Sequence, residues 1–285
     1  MRTAEVPPEE GAALREHLGR CPSCEESVHD IEGLAALAKT LVAAPPRSCA
    51  QSVCEAVTEK FGSFQFGGRT IWVVFSARGI RAITTGDYTP ATFRERYGKR
   101  FGDLREAAVP QPLRTPIERA LRGEDPGDVT LDLADLTEFE RAVLEKLRTI
   151  PRGEVRPYRW LAAEVGRPGA VRAVGNVMAR NPIPLILPCH RVVPNQGGVG
   201  NYGWGPDMKR TLLREEGVPI DELDQLARAH VRYVGSATTH IYCFPTCRHA
   251  KRIREENRVP LHDEEEAARK GFRPCLACRP LSRAS

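Results

Sequence analysis

Residues 181–193 read Asn-Pro-Ile-Pro-Leu-Ile-Leu-Pro-Cys-His-Arg-Val-Val. One cysteine stands at the end of an apolar, proline-studded run, beside a histidine and an arginine. A thiol becomes a strong nucleophile only as thiolate, and a neighbouring base or positive charge favours that form. Prolines at 182, 184 and 188 remove three backbone donors and forbid a regular helix. The expectation is a stiff, extended strap that presents Cys189. Adjacent residues of extended chain face opposite ways, so Cys189 and His190 would communicate through a bridging water. The alternative is a buried structural cysteine in a loop.

The flanks decide the fold. Thr137-x-x-Glu140 is a capping box, followed at helical spacing by Phe139, Val143, Leu144 and Leu147. A Pro-Arg-Gly turn at 151–153 ends that helix. Tyr158 to Val165 predicts a second short helix closed by Gly166, and Ala170 to Ala179 a third carrying Arg172, with Arg180 after it. Two short helices across a glycine turn form a helix-turn-helix candidate, and a small helical core is the other reading. Charge favours DNA. Residues 150–220 hold ten Lys and Arg against five Asp and Glu, and 228–285 hold twelve against six. Residues 49–149 balance at fifteen each, and 1–48 are acidic, five against eight. Basicity thus coincides with the motifs, as phosphate contact requires.

Residues from about 50 to 220 resemble the O6-alkylguanine-DNA alkyltransferases, also called methylated-DNA–protein-cysteine methyltransferases. The resemblance rests on Arg172-Ala-Val-Gly-Asn, Asn181-Pro, Pro188-Cys-His-Arg-Val, Gly200-Asn-Tyr-Gly-Trp-Gly and Arg214-Glu-Glu-Gly217. It implies that Cys189 accepts an alkyl group and that His190, through a water, and Glu216 deprotonate it. Asn181 would hold the active-site backbone. Arg172 would enter the duplex stack, or contact a phosphate, and Tyr158 would help rotate the nucleotide out. Gly200, Asn201, Tyr202, Gly203 and Trp204 would wall the base pocket. Gly203-Trp204 departs from the serine and glycine of some members, which bears on the size of alkyl group accepted. Arg180 and Arg191 are further DNA-contact candidates. Direct transfer to a thiolate needs no organic cofactor, and each molecule would act once.

Cys243-x3-Cys247 with Cys275-x2-Cys278 gives the spacing of a four-thiolate zinc site. Nine cysteines, an odd count, and no secretory signal argue against disulfides. Arg248, Lys251 and Arg252 lie between the pairs in a basic run suited to phosphates. Tyr233 to Leu281 resembles the zinc domain of the bifunctional Ada protein. That resemblance implies that Cys243 is both ligand and acceptor of a methyl group from a methylated DNA phosphate. A purely structural zinc site is the other reading. Ada proteins usually follow this domain with a helix-turn-helix pair. The chain ends at Ser285, so transcriptional switching by that route is expected to be absent.

The N-terminus carries His17-x3-Cys21-x2-Cys24 ahead of an apolar stripe from Ile31 to Leu41. The triplet resembles the zinc-binding anti-sigma fold, but residues 1–16 supply no upstream Cys or His. It is either a second zinc site or an interaction helix pair that meets a protein partner. Cys54 falls at helical phase with Val57 and Phe61 and is expected in a core. Thr70–Phe75 and Ile80–Thr84 predict a hairpin, with helices near 91–101 and 112–122 and a strand at Val129, Leu131 and Leu133.

The expected fold class is an α/β N-terminal subdomain, then a mainly α, helix-turn-helix (winged-helix-like) alkyltransferase domain, then a small α/β zinc domain. The expected boundaries are 1–45, 46–135, 136–220 and 228–285. No run of 18 apolar residues exists, so no membrane span is expected. The remaining expectations are a cytoplasmic, nucleoid-associated monomer acting on double-stranded alkylated DNA. A damage sensor in which the zinc modules are structural or regulatory is the alternative to a repair enzyme.

Overall fold

The computed structural model describes residues 17, 20, 21 and 58–281. The expected N-terminal ligand set, its apolar stripe, Cys49 and Cys54 lie wholly or partly outside the described residues. The chain divides into two units, and the second, Val57–Ser285, holds everything described below.

Alternating and β-rich residues build the first sheet. Strands β1 (Glu59–Phe66), β2 (Arg69–Ser76) and β3 (Gly79–Thr85) run antiparallel, and β4 (Leu104–Glu106) joins β1 in parallel, in the order β3-β2-β1-β4. Both faces of β2 are buried. Trp72 and Val74 pack with Phe61, Phe93 and Phe101 beneath helix α1 (Pro90–Phe101). Ile71, Val73 and Phe75 face the other way, into a core shared with Ile117 and Leu121 of helix α2 (Gln111–Leu121). Residues 129–133 do not form the expected strand. They make one isolated bridge, Ile80 to Leu131, because their alternation extends one edge only briefly. Phe61 lies in β1, so its expected helical phase with Cys54 does not hold.

The helical part follows its signals closely. The capping box at Thr137 and Glu140 opens α3 (Glu138–Leu147), which buries Val143, Leu144 and Leu147. Next come β5 (Arg156–Pro157), α4 (Tyr158–Glu164) and α5 (Val171–Ala179), whose Val174, Val177 and Met178 point inward. Strand β5 pairs in parallel with β6 (Val192–Val193). Helices α6 (Pro206–Glu215) and α7 (Ile220–Arg228) close this part.

The last part is a four-stranded sheet in the order β10-β8-β7-β9. Its strands are β7 (Tyr233–Ser236), β8 (Ile241–Cys243), β9 (Arg258–Leu261) and β10 (Arg273–Pro274), and helix α8 (Glu264–Arg269) precedes β10. The whole is a mixed α/β structure with several sheets. Its principal apolar cluster runs without a break from Phe64 to the cysteines of the last part. Among the described residues, no helix is long and apolar enough to cross a membrane.

Candidate active site and metal centre

The 181–188 run is not the expected extended strap. It is a succession of turns, with Leu187 N donating to Ile183 O at 3.0 Å and Leu185 held at φ 76°. A β-carbon makes that left-handed backbone unfavourable, and the segment retains it because both its ends are fixed. At one end Ile83 N of β3 donates to Pro182 O at 2.8 Å. At the other, Cys189–Arg191 forms a 3-10 turn. The prolines lack donors but keep their carbonyls, which is why turns survive where a helix cannot. Asn181 ties the loop together. Its Oδ1 accepts from Ile183 N at 3.0 Å, while its Nδ2 donates to Leu187 O at 2.8 Å and reaches Cys189 Sγ at 3.0 Å.

Cys189 is 7 % exposed and His190 2 %. His190 Nε2 lies 2.8 Å from Glu216 Oε1, at the end of α6, while its Nδ1 is buried without a hydrogen-bond partner. Arg191 was expected on DNA, and the structure corrects this. Its Nε and Nη2 donate to the Glu216 carboxylate at 2.8 to 3.1 Å and its Nη1 to Ile150 O at 2.8 Å. The guanidinium is spent inside the protein. It supplies the counter-charge that a buried carboxylate needs at the unfavourable end of a helix.

Burial pushes the Cys189 thiol up, against a hydrogen bond from Asn181 and the positive charge of Lys209. Burial likewise lowers His190, although Glu216 opposes it. Burial would raise Glu216, but His190 and Arg191 outweigh it and hold the carboxyl at about 2. The resting set is therefore a neutral thiol, a neutral imidazole and a carboxylate. Lys209 carries no sequence motif. It is 1 % exposed, donates to Val192 O at 2.6 Å and Asn201 O at 3.3 Å, and burial brings it down to about 8.

A cavity of about 270 Å³ opens on Cys189, lined by Tyr158, Gly175, Met178, Ala179, Asn201, Tyr202 and Gly203. Of the expected wall, Asn201, Tyr202 and Gly203 line it. Gly200 instead makes the turn, at φ 72° with Pro194 where a β-carbon would be. Trp204 packs edge-on to Tyr202, ring centroids 6.2 Å apart. The far wall comes from α5, whose small Gly175 and Ala179 leave the space open. Arg172 on the same helix and Arg180 just beyond its end are exposed.

Cys243, Cys247, Cys275 and Cys278 are all buried, with sulfurs within 4.8 Å of one another. A tetrahedral Zn–S site with bonds near ~2.3 Å needs sulfurs about 3.8 Å apart, so the set fits zinc. Beside it lies a cavity of about 640 Å³, lined by Cys243, Cys275, Arg252, Arg254 and Arg273 among others. Of the three expected basic residues Arg252 lines it, whereas Arg248 and Lys251 lie outside. Arg254, the last residue of the same expected basic run, lines it too; Arg273 was not anticipated there, because only the fold brings β10 beside the first cysteine pair.

Residues 138–218 match the family described as 6-O-methylguanine DNA methyltransferase, DNA binding domain. Residues 224–280 match the metal binding domain of Ada. Two consecutive stretches of the chain thus resemble a methylguanine-methyltransferase DNA-binding domain and an Ada-type metal-binding domain. A methylated-DNA–protein-cysteine methyltransferase of Mycolicibacterium paratuberculosis is 48 % identical over 89 residues, 31 % of this chain and 53 % of that protein. The bifunctional transcriptional activator/DNA repair enzyme Ada of Escherichia coli is 38 % identical over 148 residues, 50 % of this chain and 41 % of that protein. The chain thus spans about half the length of the curated relatives it matches. Mycobacterium tuberculosis OGT, solved in complex with DNA, aligns at 29 % identity and TM-score 0.48, covering 59 % of this chain and 98 % of that one.

Proposed function

We propose that the chain repairs DNA by moving an alkyl group from O6-alkylguanine to Cys189, once per molecule. The observation that carries this is a buried thiol at the floor of a cavity walled by α5, with a histidine–carboxylate pair immediately behind it. Glu216 occupies one ring nitrogen of His190. The other accepts the Cys189 proton through a water, as in other nucleophile–base–orienter relays. The sulfur lone pair forms the S–C bond as the C–O6 bond breaks onto guanine. The proton taken from the thiol balances the one guanine regains at N1. The thioether has no ready leaving path.

The geometry supports a helix-turn-helix of α4 and α5 in a winged-helix-like setting, with α5 toward the DNA. A base inside a duplex hides O6, so the nucleotide must flip out, at a cost of a few kcal/mol. Arg172 fills the vacated stack, Tyr158 crowds the phosphate, and Arg180 contacts the backbone. On this reading the module boundaries stand at 46–135, 136–220 and 228–285. The chain acts as a monomer, and residues 1–45 serve a protein partner or a second zinc.

The four cysteines of the last part would hold one zinc, which keeps coordinated thiols deprotonated. Cys243 then takes a methyl group from a methylphosphotriester, while Arg252, Arg254 and Arg273 hold flanking phosphates. Intact-mass and peptide mapping after incubation with methylated DNA tests both halves. The expectation is 14 Da, about one methyl, on Cys189 from O6-methylguanine and on Cys243 from methylphosphotriester. Demethylation by Cys189→Ala equal to the native rate would sink the first half. A zinc-loaded chain with unmodified Cys243 would sink the second.

A further inference from the structure

We infer that the metal module is a mechanical support of the Cys189 site, coupled to it through a latch of Glu154, Arg156 and Thr246. The inference deepens the proposed reading, and rests on it for calling Cys189 the acceptor. Thr246 lies between the first two cysteine ligands and is fully buried, at 0 % exposure. Its hydroxyl accepts from Val155 N at 2.9 Å and lies 3.4 Å from Val155 O. Arg248, on the other side of Cys247, donates its backbone N–H to Glu154 Oε1 at 3.0 Å. Both chain neighbours of one metal ligand are therefore hydrogen-bonded to two consecutive residues of the methyltransferase part.

Arg156 closes the latch. It is 2 % exposed, its Nη2 donates to the Glu154 carboxylate, and its Nη1 donates to Val155 O at 2.9 Å. Its guanidinium sits over Trp160 of α4 at 5.6 Å and over Phe244, between the cysteines, at 5.2 Å. A buried, stacked ion pair is costly to break from one side.

The latch leads directly to the site. Arg156 and Pro157 pair with Val192 and Val193, three and four residues beyond Cys189. Val192 O is also the acceptor of Lys209. At the other end of the segment, Gly153 O accepts from Lys251 of the metal module at 3.2 Å. Gly153 itself, at φ 75°, lies so close to Glu216 that a β-carbon would meet Glu216 O at 2.9 Å. Residues 153–157 are thus held on one side by the metal module and on the other by the 3-10 turn, Lys209 and Glu216. Metal binding orders the 243–247 loop, which positions 153–157, which in turn fixes the turn that presents Cys189. Glu154, Arg156 and Thr246 are positioning residues.

Amide hydrogen exchange on the full chain tests this without relying on methyl transfer. Removing zinc with a chelator is expected to raise exchange at Val192 and Val193 as well as within 233–281. Thr246→Val and Glu154→Gln keep all four thiols, so each variant should still bind one zinc per chain. In those variants exchange at Val192 and Val193 should rise about tenfold, the scale expected from one or two lost buried hydrogen bonds. Reaction of Cys189 with a small haloacetamide should change in the same variants. Changes confined to 233–281 on zinc removal, or zinc-replete variants with native exchange at 192–193, would overturn the coupling. If exchange responds but Cys189 takes no methyl from DNA, the coupling stands and the proposed function fails.

Discussion

Lys209 is a cation buried near the thiol that the proposed reaction must ionise, and its value and its cost have the same origin. While protonated, Lys209 favours the Cys189 thiolate, so Lys209→Met should slow Cys189 alkylation below about pH 8, where the lysine is charged, and change it little above. Rates of haloacetamide labelling against pH read that difference, and an unchanged profile below about pH 8 would mean the charge is not felt at sulfur. The folded lysine titrates at about 8, below its ordinary 10.5. Between those values the unfolded chain holds more protons, so stability contributed by this residue rises with pH there. Glu216 shows the same sign in a lower window. Its folded value of about 2 lies below the ordinary 4.5, so its contribution is full above 4.5 and is lost as pH falls toward 2. That contribution is about 3 kcal/mol. Glu216→Gln should remove most of it at neutral pH and flatten the acid limb of a denaturation series. A variant with the native acid limb would show that other carboxylates dominate.

At the scale of elements, helices α3 and α5 separate positions that support the fold from those that face DNA on the proposed reading. Leu147 is fully buried in α3, and Leu147→Ala should cost about 3 kcal/mol by loss of transfer energy and formation of a cavity. Thr137→Ala removes the capping hydroxyl and should cost about 1 kcal/mol. Urea titrations read both. Arg172 is exposed on α5, so Arg172→Ala should leave the urea midpoint unchanged. It should slow transfer from duplex O6-methylguanine more than transfer from free O6-benzylguanine. Equal loss on both substrates would instead make Arg172 part of the pocket.

At the scale of the molecule, connectivity governs folding, and charge governs the DNA binding that the proposed function requires. If α5 tracks phosphates, replacing Arg172 and Arg180 together by alanine should reduce the slope of log affinity against log salt by about 2. An unchanged slope would move the DNA surface elsewhere. The unbroken apolar cluster joining the first sheet, the helices and the metal module implies cooperative unfolding of residues 58–281. A second, separate transition for the metal module in calorimetry would contradict that.

Local patterns determined what local physics controls. The capping box at Thr137 and Glu140 predicts α3 because both partners lie within one helical turn. The two cysteine pairs predict a metal site because ligand chemistry restricts spacing. Pro188-Cys-His-Arg with Glu216 predicts the relay because those residues carry the family resemblance. Contacts distant in sequence decided the rest. The alternation at 129–133 looked like a strand, yet a strand needs a free edge of matching length, and only Leu131 finds one. Phe61 fits a helix and a strand pattern equally well, and its pairing with β2 settles the choice. Arg191 reads as a DNA contact until Glu216, 25 residues away, claims its guanidinium. Lys209 and Arg156 have no sequence signature, and Thr246 lies in the Ada-like stretch without any role that the stretch assigns to it. Their importance arises from burial beside particular partners, and burial is a property of the packed chain.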